Sequence, residues 1–101
     1  MPEWIYFIHP PRDNFAETMS PTEREVWSIH FQRLQRLLSE GTLILAGPTL
    51  GPINTGIAII NAPDETAARQ LMEEDPAIAS GIAMGELRPF RVSLLRGRES
   101  G

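Results

Sequence analysis

Two side chains in the sequence have a type and a setting that suit proton transfer, and His30 is the first. It follows Val26 by four residues and precedes Leu34 by four, so in a helix its imidazole would project from the apolar side. A partly desolvated imidazole favours its neutral form, which can accept a proton. A core histidine bonded to a backbone carbonyl has the same sequence setting, so both interpretations stay open.

Asp75 is the second candidate. It directly precedes Pro76, and an aspartate followed by proline is typical of the N-cap of a helix. One carboxylate oxygen can cap the helix while the other accepts an N–H bond from a histidine. Such a bond would fix the tautomer of the histidine and make its other ring nitrogen more basic. A purely capping role is the alternative.

His9 and Arg12 lie on either side of two prolines near the start of the chain. Together they could line the mouth of a pocket and bind a carboxylate or phenolate. A surface ion pair is the alternative for Arg12. His9, His30 and Asp75 could also be drawn as a metal triad, but the sequence has no His-x-x-x-His spacing, so no metal site is predicted.

The composition excludes several other kinds of chemistry. The 101 residues contain no cysteine, which removes disulfides, thiolate metal sites and a cysteine nucleophile. All nine basic residues are arginine, so a Schiff base on lysine is excluded as well. The net charge of −4 and the scattered arginines argue against nucleic-acid binding. Neither a membrane span nor a signal peptide is visible, so we expect a cytoplasmic protein.

The elements that must position these residues can be read along the chain. β-branched and aromatic residues predict a first strand at residues 4–9 with apolar side chains on both faces. Ser20, Pro21 and Glu23 have the pattern of a capping box, which predicts a helix of about 20 residues that ends at Gly41. The other predicted elements are a loop at 12–19, strands at 42–46 and 57–61, a helix at 65–74 capped by Asp64, a short helix from Pro76 and a strand at 87–95.

This order predicts an α+β, ferredoxin-like fold with a four-stranded antiparallel sheet and the helices on one face. We expect a single domain over residues 1–95 and a flexible C-terminal tail over residues 96–101. The helices can cover only one face of the sheet, yet the first strand is apolar on both. The sequence therefore predicts a homodimer in which sheet faces sheet. Ligand space would lie between the two sheets or between sheet and helix.

Nearly the whole chain, about residues 5–89, resembles the YCII-related family of small ferredoxin-like, dimeric α+β barrel proteins. The segment from His9 to Phe15, with Met19 and Glu23, is similar to a version of this domain found in one subgroup. The residues that carry the wider resemblance are His30, Gly47-Pro48, Gly56 and the four residues after it, Ala67-Ala68-Arg69, Asp75-Pro76, Ser80-Gly81 and Arg88-Pro89-Phe90.

The resemblance implies that His30 and Asp75 form a paired catalytic site. We also expect Arg12, His9 and Phe15 to contribute to substrate binding. It implies a cofactor-free lyase or isomerase that acts on a small phenolic or lactone-like metabolite. Elimination of HCl from a chlorinated hydroxyquinol in aromatic degradation is one such reaction. Three alternatives stay open: a non-catalytic, small-ligand-binding dimeric module, a purely structural dimer, and a cofactor-free monooxygenase on the same fold.

Overall fold

The computed structural model describes residues 1–98, and its centre is a four-stranded antiparallel sheet. The strands lie in the order β2-β3-β1-β4, which is the ferredoxin-like α+β arrangement that the sequence predicts. The elements are β1 Glu3–His9, α1 Phe15–Thr18, α2 Pro21–Ser39, β2 Leu43–Pro48, β3 Gly56–Asn61, α3 Glu65–Glu73, α4 Pro76–Ala79 and β4 Met84–Phe90.

The main hydrophobic cluster lies on one face of the sheet. Tyr6 and Ile8 of β1 point to this face together with Ala58 and Ile60 of β3, and α2, α3 and α4 cover them. Tyr6 and Ile60 are completely buried. Because side chains alternate along a strand, Ile5 and Phe7 of β1 lie on the opposite face.

That opposite face carries apolar side chains that remain accessible. Ile5 pairs with Ile59 of β3 and Phe7 pairs with Ile57, so these four side chains share the face. Ile5, Phe7 and Ile57 are half-buried, while Ile59 is buried. We call this surface, defined by Ile5, Phe7, Ile57 and Ile59, the open sheet face.

The last strand differs from its prediction at both ends. β4 starts at Met84 rather than Leu87 and ends at Phe90 rather than Leu95. Its bounds follow its partner, because the pairs run from His9–Met84 to Glu3–Phe90 and β1 offers no further residue. Gly85 permits the early start, since a Cβ there would lie 2.9 Å from Ile78 of α4 and from Met72 of α3. β4 is an edge strand, a position in which the proline at residue 89 is tolerated.

The predicted loop at 12–19 contains a short helix, α1. Asn14 precedes it with φ of 55°, a conformation in which asparagine is tolerated. The Asn14 N–H donates to the Pro52 carbonyl at 2.6 Å, and the Ala16 N–H donates to Asn54 Oδ1 at 3.0 Å. Contacts to the β2–β3 loop therefore stabilise this helical turn. No local pattern in the sequence predicts it.

The chain after β4 folds back onto the start of β1. The Val92 N–H donates to Glu3 Oε1 at 2.8 Å, and Arg98 donates to Glu3 Oε2 at 3.0 Å. The hydrogen bond from the Val92 N–H has the largest effect on the pKa of Glu3 and lowers it. Burial opposes this effect, and the contact with Arg98 lowers the pKa further. The proposed tail at 96–101 thus includes one residue with a defined contact, while residues 99–101 lie outside the described part.

No helix in the described part of the chain is both long enough and apolar enough to cross a membrane.

Candidate functional site

α2 brings His30 into the core. Its first turn has the predicted capping box, because Ser20 Oγ accepts the Glu23 N–H at 3.1 Å and Glu23 accepts the Ser20 N–H at 2.8 Å. His30, Leu34 and Leu37 are the buried residues of this helix. The imidazole therefore lies on the apolar side of α2, as the four-residue spacing predicts.

Asp75 meets His30 at the N-terminus of α4. Its Oδ1 atom lies 2.6 Å from His30 Nδ1 and also accepts the Ala77 N–H at 2.9 Å. Its Oδ2 atom accepts the Tyr6 hydroxyl at 2.7 Å. The prediction that capping and histidine binding use different oxygens of Asp75 is wrong. Oδ1 performs both, because Oδ2 is occupied by Tyr6.

The environment of Asp75 favours its ionised form. The residue is fully buried, and burial alone would raise the pKa of its carboxyl group. The hydrogen bond and the charge interaction with His30, followed by the hydrogen bonds from Tyr6 and the Ala77 N–H, outweigh that effect and hold the pKa of Asp75 below its ordinary value. Burial and the neighbouring carboxylate raise the pKa of Tyr6 far above its ordinary value, so Tyr6 stays a hydrogen-bond donor.

The bond to Asp75 determines the tautomer of His30. An ionised carboxylate can only accept a hydrogen bond, so Nδ1 must carry the proton. In the neutral ring Nε2 is then an acceptor. Nε2 makes no hydrogen bond within residues 1–98 and is not shut off from solvent, whereas His30 as a whole is only 8% exposed. Of the polar side-chain atoms of this pair, Nε2 is therefore the one without a partner in the described part of the chain.

His30 lines a groove of about 720 Å³ between α2, β2 and the segment that contains α1. Of the described residues that line it, His30, Gln35 and Asn54 have polar side chains, and Trp27 adds an indole N–H. Asn54 is committed to the loops, since its Oδ1 accepts the Ala16 N–H and its Nδ2 donates to the Thr49 and Gly51 carbonyls. The groove thus offers mainly apolar contact, and its available polar groups are those of His30, Gln35 and the Trp27 indole.

An aromatic contact series connects the rim of the groove with His30. The rings of Phe15 and Trp27 are 4.7 Å apart, and those of Trp27 and His30 are 5.8 Å apart. Phe15 is almost fully buried and lines the groove, so its placement is compatible with the predicted role in substrate binding. The packed rings restrict the rotation of the imidazole.

Arg12 is bound within the chain. Its guanidinium makes two parallel bonds to Glu23, at 2.8 and 2.9 Å, and two further bonds to Thr18. It also lies over the Phe15 ring, 5.1 Å from its centroid. The bonds from Arg12 and then Ser20 lower the pKa of Glu23 to about 2. Arg12 therefore ties the α1 segment to the start of α2, and it is the ion pair that the sequence analysis left as an alternative.

His9 lies apart from the His30–Asp75 pair. It is on the same face of β1 as Phe7, with which it stacks at 5.9 Å between ring centroids. Its Nε2 bonds to Glu86 Oε1 at 2.9 Å in an exposed position. The three residues of the hypothetical metal triad are therefore not together, and the described residues contain no group of three metal-ligand side chains.

Comparison with known proteins assigns the chain to a family. The model of the YCII-related domain matches residues 5–91, which is most of the 101-residue chain. The chain belongs to the YCII-related family. The predicted resemblance is thereby confirmed. No curated protein sequence matches the chain at a significant level.

A solved structure of the same fold supports the assignment. The 5-chloro-2-hydroxyhydroquinone dehydrochlorinase TftG from Burkholderia phenoliruptrix AC1100, in complex with 2,5-dihydroxybenzoquinone, superimposes with a TM-score of 0.65. The match covers 87% of this chain and 93% of TftG, at 15% sequence identity. At that identity the likeness establishes the fold.

Sequence reasoning missed two residues of the site in this YCII-related chain. Tyr6 was treated as one of several apolar residues of β1, but its hydroxyl holds Asp75. Its alternation with Ile5 and Phe7 placed it on the helix-covered face, and a buried tyrosine hydroxyl needs a partner. Arg33 was not singled out, and its guanidinium is buried beside the same carboxylate, with Nη1 3.9 Å from Asp75 Oδ2. A charged residue three positions after a buried histidine was the available signal.

Proposed function

We propose that this YCII-related protein is a cofactor-free lyase or isomerase that acts on a small phenolic or lactone-like metabolite, as a cytoplasmic homodimer. One observation carries the proposal. His30 is fixed through Nδ1 by a fully buried carboxylate, its Nε2 makes no hydrogen bond within residues 1–98, and the residue lines a mainly apolar groove. This is the arrangement that a general base requires.

The chemistry needs one proton acceptor and one leaving group. Nε2 of neutral His30 takes a proton from a phenolic oxygen or an activated carbon of the substrate, and the ring becomes an imidazolium beside the Asp75 carboxylate. Because chloride cannot leave directly from an aromatic carbon, the substrate reacts as its keto tautomer, in which the chlorinated carbon is tetrahedral. The electron pair left by deprotonation of a remaining hydroxyl then expels chloride, so the substrate loses the elements of HCl. The imidazolium then releases its proton to water. In an isomerisation it returns the proton to a different substrate atom. General base catalysis of this kind contributes about 10²–10⁴-fold.

The size and polarity of the groove suit a flat, largely apolar compound. A volume of about 720 Å³ exceeds that of a single substituted benzene ring and lies within the ordinary range for small-ligand sites. TftG is described as a dehydrochlorinase of a chlorinated hydroxyhydroquinone, and it was captured with a dihydroxybenzoquinone. We extend that reaction class to this chain and propose HCl elimination from a chlorinated hydroxyquinol as the reaction to test first.

A specific observation favours a second candidate, a small-ligand-binding dimeric module without turnover. A developing anion in the substrate calls for a nearby positive charge. Arg12, the predicted group for this task, is bound to Glu23 and Thr18 instead. No arginine lines the groove within the described residues. In this reading His30 orients a ligand by one hydrogen bond.

The two candidates differ in a single assay. The purified protein is mixed with a chlorinated hydroxyquinol under anaerobic conditions, and chloride release is measured together with the absorbance of the quinone product. We expect chloride and product to form in equal amounts and faster than in buffer. Saturable binding without chloride release would favour the binding module. Turnover that needs oxygen would indicate a monooxygenase and contradict the lyase proposal.

The homodimer follows from the open sheet face. Ile5, Phe7 and Ile57 present apolar surface on the side opposite to the helices, and Met84 and Phe90 at the β4 edge are 75% and 41% exposed. Glu86 and Arg88 of β4 lie opposite Phe7 and Ile5 on this face, so the apolar patch has charged residues on its β4 side. An accessible apolar patch with a polar border indicates an association site. A second copy is the partner that a symmetric two-fold arrangement would place there.

We expect light scattering coupled to size exclusion to give about twice the 11.3 kDa chain mass for the parent protein. Phe7→Glu should give the mass of one chain, because a buried carboxylate at the centre of the interface would lack a partner. Gln32→Glu, on the exposed side of α2, is the matched control and should stay dimeric. A parent protein that has the single-chain mass at tens of micromolar would contradict the proposal.

A further inference from the structure

Arg33 is buried close to the His30–Asp75 pair and does not line the groove. Its side chain is 11% exposed. Nη2 donates to the Leu71 carbonyl at 2.8 Å, which ties α2 to α3. Nη1 lies 3.9 Å from Asp75 Oδ2, is buried and has no hydrogen-bond partner among residues 1–98. A donor left unpaired in the interior is costly, so the position of this guanidinium needs a reason.

The charges around Asp75 supply that reason. A fully buried carboxylate requires a compensating positive charge. The ionisable groups that face it are Tyr6 from β1 and His30 and Arg33 from α2. α4 contributes the Ala77 N–H to Asp75, and α3 contributes the Leu71 carbonyl to Arg33. Tyr6 stays neutral, so the compensating charge comes from either an imidazolium at His30 or the guanidinium at Arg33.

We propose that Arg33 is the counter-charge of Asp75 and thereby leaves His30 neutral, so that Nε2 is available as a proton acceptor. Arg33 is a positioning residue in this account, because it acts through Asp75 and touches neither the groove nor a substrate. The role in catalysis rests on the proposed function, whereas the charge balance itself is independent of it. Without Arg33, the negative charge of Asp75 would favour the imidazolium form of His30. Nε2 would then carry a proton and could not act as a base.

The test is a pH titration of the histidine ring protons by NMR. The chain has two histidines, so a His9→Gln variant assigns the two resonances. In Arg33→Met we expect the titration midpoint of His30 to rise by about one pH unit or more relative to the parent, since a nearby positive charge has been removed. Arg33→Lys keeps the charge and should restore most of the parent midpoint. Arg36→Met removes an exposed arginine one turn further along α2 and should leave it unchanged.

Equal midpoints in the parent and in a folded Arg33→Met would overturn the proposal. They would leave Arg33 as a structural tie to Leu71, a role that lowers stability in both Arg33 variants without moving the titration. If Arg33→Met fails to fold, the double variant Arg33→Met/Asp75→Asn takes its place. It contains neither buried charge, so it should fold better than Arg33→Met alone. A double variant as unstable as the single one would contradict the charge balance.

The titration also separates this inference from the proposed function. It needs no substrate, so it can succeed even if no tested compound is turned over. Where turnover is observed, the low-pH limb of the rate profile should move to higher pH in Arg33→Met by the same interval as the NMR midpoint. Turnover that depends on His30 but shows the parent pH profile in Arg33→Met would leave the lyase proposal intact and overturn the role of Arg33.

Discussion

Replacing His30 by asparagine should lower kcat for the proposed elimination by about 10²–10⁴-fold while KM and the fold are nearly retained. The asparagine Nδ2 atom can take the place of the imidazole Nδ1–H and donate to Asp75. The substitution therefore preserves the buried hydrogen bond and removes only the nitrogen at the groove. Chloride release under saturating substrate gives kcat, and urea unfolding followed by circular dichroism checks stability.

Two comparisons sharpen this result. Gln32→Ala changes an exposed residue of the same helix and should have parent activity. His9→Asn makes the same chemical change at the other histidine. If His9 binds substrate, as the sequence analysis predicts, KM should rise while kcat is retained. A His30→Asn protein with parent kcat would contradict the general-base role and favour the binding module or the structural dimer.

Asp75→Ala should destabilise the protein by about 3–5 kcal/mol, because it leaves the donors of Tyr6 and His30 without an acceptor in the interior. Asp64→Ala is the matched control. Asp64 is also a helix N-cap, as its side chain accepts the Ala67 N–H at 2.9 Å, but it is exposed. Loss of that cap should cost about 1 kcal/mol. Equal costs for the two variants, measured by urea unfolding, would mean that Asp75 is only a cap.

The pH dependence of the unfolding free energy distinguishes the contribution of the Asp75 charge from that of its packing. The pKa of Asp75 is lower in the folded protein, so its stabilisation is complete above the ordinary value of about 3.8 and is lost as the pH falls below it. In Asp75→Asn this loss is absent. The gap in unfolding free energy between parent and Asp75→Asn should therefore narrow below about pH 4. Glu3 and Glu23 are present in both proteins and cancel in the comparison.

The sequence patterns predicted the arrangement of the sheet well because most elements carry their own local signals. The capping box at Ser20 and Glu23 and the Asp-Pro pair at 75–76 both lie where they were placed. The parts that were missed depend on distant partners. β4 takes its bounds from β1, and α1 is held by Asn14 and Asn54 through contacts to residues about 40 positions away along the chain. Local periodicity contains no information on such contacts.

In the candidate site, too, residues with a local sequence signal were predicted and those that depend on distant contacts were missed. His30 and Asp75 were found because each has a recognisable local setting. Arg12 was assigned to the pocket because its charge suits an anion, but no pattern in a single sequence shows which carboxylate an arginine will meet. The hydroxyl of Tyr6 and the guanidinium of Arg33 become part of the site only when β1, α2 and α4 are brought together.

The double use of Asp75 Oδ1 affects how such a protein can change over evolutionary time. The same atom caps the N-terminus of α4 and binds the imidazole of His30. Substitution of Asp75 therefore lowers the stability of the fold. The structural role of His30 is narrower, because it supplies one N–H to Asp75 that another donor, such as an asparagine side chain, can replace. We therefore expect that a related protein which has lost catalysis but still binds a ligand will lack the histidine and retain the aspartate. A related sequence that has the aspartate but not the histidine would indicate a protein without this catalytic activity.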